Sequence, residues 1–116
     1  SIAKGEGFSC DLLSPNLAIR CWGRNLYGQL GTGDALPRGK DHSAFVDVGT
    51  HALDVCCGRH HVCALLDDGN VKCWGSNSRG QLGYGDRSNR GESPGEMGDK
   101  LPAVDLGNWS DESSDS

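Results

Sequence analysis

The stretch "VKCWGSNSRGQLGYGD", Val71 to Asp86, decides how the chain is read, because "IRCWGRNLYGQLGTGD" already stands at Ile19 to Asp34. Aligning Cys21–Asp34 with Cys73–Asp86 gives ten identities in fourteen positions, where chance would supply roughly one, so the chain carries an internal duplication. The likeness spreads outward in both directions. Upstream, "KGEGFSCDLL" lies against "CGRHHVCALL", and downstream "VDVG" at Val46 lies against "VDLG" at Val104. The unit is about fifty residues long, with insertions confined to its loops.

Within one copy the residue types read as short strands and turns. "LDVCC" is β-branched and apolar, Gly58 and Arg59 follow as a turn, "HHVCALL" is a second strand, "DDGN" a turn signal and "VKCW" a third strand. A fourth is expected at "PAVDL" in the second copy and at "AFVDV" in the first. No stretch keeps a 3.6-residue period for three turns, which disfavours a helical repeat. The 18 glycines without a triplet period point the same way, to many turns and close backbone approaches. The expected fold class is all-β: a partial β-propeller of two four-stranded antiparallel blades. The first repeat spans 1–49 as an incomplete blade, the second spans 50–107, and 108–116 form an acidic, serine-rich tail.

Composition excludes some functions. A net charge of -5 argues against a nucleic-acid surface, which needs clustered Lys and Arg. No apolar run approaches the roughly 18 residues of a membrane span. "GQLGTGD" and "GQLGYGD" lack the spacing and the following Lys-Ser/Thr of a phosphate loop, and no nucleophile–base constellation can be assembled, so the chain reads as a non-enzyme without a cofactor.

With the blade assembled, "HHVCALLDDGNVKCWGSNSRGQLGYGD" resembles the repeat of the regulator of chromosome condensation family, over roughly Ile2 to Gly107. The resemblance implies a seven-bladed ring. Two copies cannot close it, and the chain opens on Ser1, so it is expected to be a segment of a longer protein. The motif residues have mechanical roles on this reading. Trp22 and Trp74 are inter-blade packing groups, Gly23, Gly28, Gly31, Gly75, Gly80 and Gly83 allow turns or close approach, and Leu30 and Leu82 plug the core. Asn25, Asn77, Gln29 and Gln81 satisfy loop backbone groups, and Asp34 and Asp86 cap the turns that follow.

The cysteines depart from the nuclear members of that family. A hairpin centred on Asp68 sets Cys63 opposite Cys73, and Cys10 and Cys21 are their counterparts, with a loop around Pro15 absorbing one extra residue. Bridges Cys10–Cys21 and Cys63–Cys73 are expected; the alternative is four small buried apolar residues. Cys56 and Cys57 have no first-copy counterparts and point to opposite faces, which disfavours a bond between them. For the same reason the cluster Cys56, Cys57, His60, His61 and Cys63 offers no face with four convergent zinc ligands. Bridges, and the sequon Asn108–Ser110, imply an extracellular or luminal address; unbridged thiols leave a cytoplasmic one.

The expected function is a protein-interaction scaffold for an unidentified protein partner, with loops Ala35–Phe45 and Arg87–Ala103, Met97 included, as its contact surface. The family resemblance adds a rival, a small GTPase as partner and guanine-nucleotide exchange as the activity. It also includes an ultraviolet-B photoreceptor carrying "GWRHT", but the matching place here is "GRHHV", with Arg59 in place of the tryptophan. A third reading is a stalk of stacked blades with no specific ligand.

Overall fold

The computed structural model describes residues 2–13, 18–42, 44–93 and 96–104. Two antiparallel sheets follow one another along the chain. The first orders its strands β1 (Ile2–Lys4), β2 (Phe8–Leu13), β3 (Ala18–Gly23) and β4 (Ala44–Val46); the second orders β5 (Ala52–Cys57), β6 (His61–Leu66) and β7 (Val71–Gly75). The first copy, read from its sequence as the incomplete blade, thus carries four strands. The second carries three among the described residues. Pro102–Leu106, expected as its fourth strand, lies partly outside them. Val104 N–H nevertheless donates to Val71 C=O at 2.7 Å, at the register where Val46 pairs with Ile19 in the first sheet.

Period-two patterning explains the faces. On β2 and β3 the buried residues are Phe8, Cys10, Ile19 and Cys21; on β6 and β7 they include Val62, Ala64, Leu66 and Trp74. These join Ala52 and Val55 of β5, and Leu30, Val46, Val48 and Leu101, in one hydrophobic cluster between the sheets. Equivalent positions therefore end in different surroundings. The cysteine face of the first sheet is inside this cluster, whereas Cys63 and Cys73, directly paired on β6 and β7, point to the other face of the second sheet from Val62 and Trp74.

One strand breaks the simple alternation. The pairing of β5 with β6 shifts register between Ala52 and Asp54, a bulge that turns Ala52 and Val55, three residues apart, to the same buried face. Leu53, which strict alternation would turn to the same face as Val55, is left 51% exposed.

Two glycines show why the motif demands this residue. Gly75 has φ +106°, and a Cβ there would sit 2.6 Å from the His60 carbonyl oxygen; Gly28 has φ +78° and would place a Cβ 2.5 Å from the Glu92 amide nitrogen. Both conformation and space exclude a side chain.

Candidate interaction surface

After β3 and again after β7 the chain makes the same loop, pinned by a buried asparagine. Asn25 Oδ1 accepts the Leu30 N–H at 2.9 Å, while its Nδ2 donates to the carbonyls of Asp34 (3.0 Å) and Leu36 (2.9 Å). Asn77 repeats this with the Leu82 N–H (3.0 Å) and the carbonyls of Asp86 (3.1 Å) and Ser88 (2.9 Å). Gln29 and Gln81 each accept the N–H two residues back, of Tyr27 and Arg79, at 2.8 Å. Leu30 and Leu82 are buried at the loop centres. The polar motif residues are thus consumed by the loop backbone.

The two aspartates close the loops as expected, and with a partner that was not foreseen. Asp34 Oδ1 accepts the Leu36 N–H and Asp86 Oδ1 that of Ser88, at 3.0 and 3.1 Å. Arg38 and Arg90 then pair with Asp34 and Asp86 at 3.2 and 3.0 Å, and each arginine forms a backbone bridge to its motif glycine, Gly23 or Gly75. The signal was present in the sequence: an arginine four residues after the aspartate in both copies.

The backbone N–H of Leu36, with Thr32 and Arg38, holds the Asp34 carboxyl below its ordinary value of 3.8, and Arg90, then the Ser88 N–H, does so for Asp86. A carboxylate depressed on folding adds stability that is present above its unfolded pKa and lost as pH falls through the lower folded one. Acidification below about pH 4 should therefore lower the melting temperature, and less so in Asp86→Asn. Parallel pH dependence in the two proteins would contradict this role for Asp86.

The paired tryptophans part company. Trp74 is fully buried and its Nε1–H donates to the Gln29 carbonyl at 3.0 Å, joining the blades. Trp22, expected to do the same, is only partly buried and carries the Lys40 ammonium 5.3 Å from its ring centroid. Trp22 alternates with Cys21, which lies in the cluster between the sheets, and so stands on the face of the first sheet turned away from the second.

The cysteine pairs are brought together. Cys10 and Cys21 are direct cross-strand partners with Sγ atoms 2.06 Å apart, and Cys63 and Cys73 are likewise, at 2.09 Å. The Ser14–Leu17 loop around Pro15 lies outside the described residues. Cys56 is an exposed free thiol; Cys57 is half-buried, its thiol pushed up to about 12 by burial and then by Cys56. Among the described residues no group of three or more His, Cys, Asp or Glu side chains is placed to hold a metal.

Of the two loops expected to form a contact surface, the longer one does something else. Gly91 C=O accepts the Gly33 N–H at 2.9 Å, Gly98 N–H donates to Asp47 C=O at 2.7 Å, and Lys72 Nζ donates to Val48 and Gly98 carbonyls at 2.9 and 3.0 Å. Met97 packs on the core and Leu101 is inside it. Much of the described part of Arg87–Ala103 is therefore a brace between the sheets, which corrects its reading as a free partner surface. Ala35–Phe45 is the more open loop, with Leu36 and Phe45 about two-thirds exposed.

A polar hollow of about 300 Å³ was not anticipated as a site. Tyr27 reaches it from the first motif loop, Arg59 and His60 from the β5–β6 turn, and Ser76, Ser78, Arg79 and Gln81 from the end of β7 and the second motif loop. Its rim is electrostatically organised. Glu6 in the β1–β2 turn meets Arg59 Nε at 3.6 Å and His60 Nε2 at 3.2 Å, and the His60 ring lies 5.1 Å from that of Tyr27. His61 has its pKa lowered by burial and then by His60, which favours its neutral form, and the arginines carry the positive charge.

Two small antiparallel sheets packed on each other, each followed by the same asparagine-pinned loop, define consecutive blades of a β-propeller. The chain belongs to the regulator of chromosome condensation (RCC1) repeat family: two models of that repeat match it, over residues 53–81 and 21–65. Mouse protein RCC2 is 38% identical over 78 residues, covering 66% of this chain and 15% of that protein. Human alsin is 38% identical over 78 residues, 66% of this chain and 5% of alsin. The X-linked retinitis pigmentosa GTPase regulator homolog of Caenorhabditis elegans is 36% identical over 83 residues, 72% of this chain and 6% of that protein. Among solved structures, Prp20p of Saccharomyces cerevisiae, described with its binding properties to Gsp1p and histones, superposes with TM-score 0.66 at 23% identity, over 81% of this chain and 24% of that one. Human WBSCR16 gives TM-score 0.64 at 25% identity, over 80% and 24%. The chain thus spans at most 15% of these relatives and 24% of these solved chains.

Proposed function

We propose that these blades act as a non-catalytic protein-interaction scaffold, with the hollow around Arg59 and Arg79 as the recognition surface for an acidic segment of a partner protein. The carrying observation is a division of labour. The motif asparagines, glutamines and aspartates bond their own loop backbones, while the side chains of Tyr27, Arg59, His60 and Arg79 converge from separate turns onto one open hollow. Rigid strands holding variable turns in register is how repeat scaffolds build such surfaces. The bridged cysteine pairs support an extracellular or luminal setting, where disulfides persist.

The test is charge reversal of both arginines, Arg59→Glu with Arg79→Glu, in the whole protein. Quantitative affinity purification should show its specific partners depleted roughly tenfold or more, a loss of about 1.4 kcal/mol, with melting behaviour unchanged. An unaltered partner set would overturn the reading. A second reading has its own support, since one relative is named as a homolog of a GTPase regulator and Prp20p is described with its binding to Gsp1p. Accelerated nucleotide release from Gsp1p by the whole protein would favour regulation of a GTPase over a passive scaffold.

A further inference from the structure

The second sheet carries a third cysteine in register with its bridge. Cys56 on β5 is the direct cross-strand partner of Cys63 on β6, and Cys63 is the direct partner of Cys73 on β7. Directly paired residues project to one face, so the three side chains form a row across the sheet with Cys63 in the middle. In the first sheet the same place is filled by Ala3, opposite Cys10.

The spacing of the row suits a second bond. A residue in a central antiparallel strand exchanges its backbone hydrogen bonds with one neighbour only. Cys63 and Cys73 have a Cα–Cα distance of 4.1 Å, the close, non-hydrogen-bonded kind. Cys56 and Cys63 are then the hydrogen-bonded kind, with Cα atoms about 5.5 Å apart, inside the roughly 4.4–6.8 Å that a disulfide spans.

We infer that Cys56 is the attacking thiol of an internal thiol–disulfide exchange site, able to move the bridge from Cys63–Cys73 to Cys56–Cys63. The inference rests on the Cys63–Cys73 bridge. Cys56 loses its proton to water, and its sulfur attacks Cys63 Sγ from the side opposite Cys73. The Cys56–Cys63 bond forms as the Cys63–Cys73 bond breaks, and Cys73 leaves as a thiolate that takes up one proton. One disulfide and one thiol stand on each side, so no oxidant or reductant is consumed.

The surroundings give the row its direction. Cys56 is exposed, and a hollow of about 140 Å³ lined by Asp54, Cys56, Cys63, Leu65 and Val71 opens beside it. Cys73 is buried, and its backbone N–H and C=O are both held by the Tyr84 hydroxyl, at 2.9 and 2.7 Å. The attacking group is thus accessible and the leaving group stays in place to return. Cys57, one residue away, projects to the other face and packs on the core. The bridge at Cys10–Cys21 is completely buried with no third thiol in its row.

Peptide mapping tests this directly, because trypsin cuts after Arg59 and Lys72 and so separates Cys56 with Cys57, Cys63, and Cys73 onto three peptides. The native protein is blocked with N-ethylmaleimide and digested without reduction. The wild type should yield both the Cys63–Cys73 link and a link between residues 41–59 and 60–72. The latter should vanish in Cys56→Ser and survive in Cys57→Ser. In Cys73→Ser, equilibrated with oxidised glutathione, the Cys56–Cys63 link should become the dominant form. A wild type showing only Cys63–Cys73, with Cys73→Ser leaving Cys56 and Cys63 unlinked, would overturn the exchange. Three alkylated peptides and no link would overturn the bridge with it, and neither result bears on the arginine hollow, whose partners are measured separately.

Discussion

Trp74→Ala should destabilise this chain by about 3–5 kcal/mol, the range for truncating a large buried aromatic, whereas Trp22→Ala should cost less, about 1–2 kcal/mol. The two residues occupy the same motif position in a block identical at ten of fourteen positions. What separates them is which side of each blade has a neighbour. Trp74 is fully buried in the cluster shared by both sheets. Its removal leaves a cavity and also strands the Gln29 carbonyl that accepts its Nε1–H at 3.0 Å. Trp22 is only partly buried and lies outside that cluster, so truncating it loses part of its burial and its contact with Lys40 but opens no cavity in the shared core. Urea unfolding of the two variants, followed by far-ultraviolet circular dichroism, measures the difference. Equal losses would mean that burial between blades is not what the tryptophan of this repeat supplies.

The same contrast shows how far the sequence could be read. The duplication, the strand order within a copy and the pairing of Cys10 with Cys21 and of Cys63 with Cys73 were legible, because a period of two and a short turn fix which residues face each other across a hairpin. The roles of Asn25 and Asn77 were legible in kind, since a short amide among glycines has little to bond except backbone. Features that depend on what lies beyond the copy were not. Nothing in "CWG" says which tryptophan has a neighbour, and nothing in "HALDVCC" says that a bulge turns Leu53 outward. The Arg87–Ala103 segment has the polar, glycine-rich composition of a free loop, yet Glu96 Oε1 accepts the N–H groups of Gly91, Glu92 and Ser93 at 3.0–3.1 Å and Met97 turns onto the core. Local self-bonding of this kind has no periodicity to betray it. The hollow at Arg59 was invisible for a related reason: it joins turns of both copies, and no window of sequence contains it.

Asn77→Asp should be among the most damaging substitutions of similar shape in the chain, at about 3–5 kcal/mol near neutral pH, the cost of leaving a buried charge uncompensated. Asn77 is completely buried. The new carboxylate would keep the acceptor for the Leu82 N–H. Its second oxygen, however, would replace a donor that now serves Asp86 Oδ1 at 2.8 Å and the carbonyls of Asp86 and Ser88 at 3.1 and 2.9 Å. An oxygen facing three acceptors has nothing to bond unless it is protonated, so the substituted group should hold its proton far above the ordinary value of about 3.9. A folded-state pKa raised in this way makes the folded form bind the extra proton. The variant should then be least impaired at acid pH and lose stability as pH rises past the unfolded value, opposite in sign to the contribution of Asp86. Denaturant midpoints of wild type and Asn77→Asp at several pH values test both the size and the slope. A loss below about 1 kcal/mol that does not change with pH would show that Asn77 is not the closed donor site on which the loop is built, and the motif would then need a reason other than architecture.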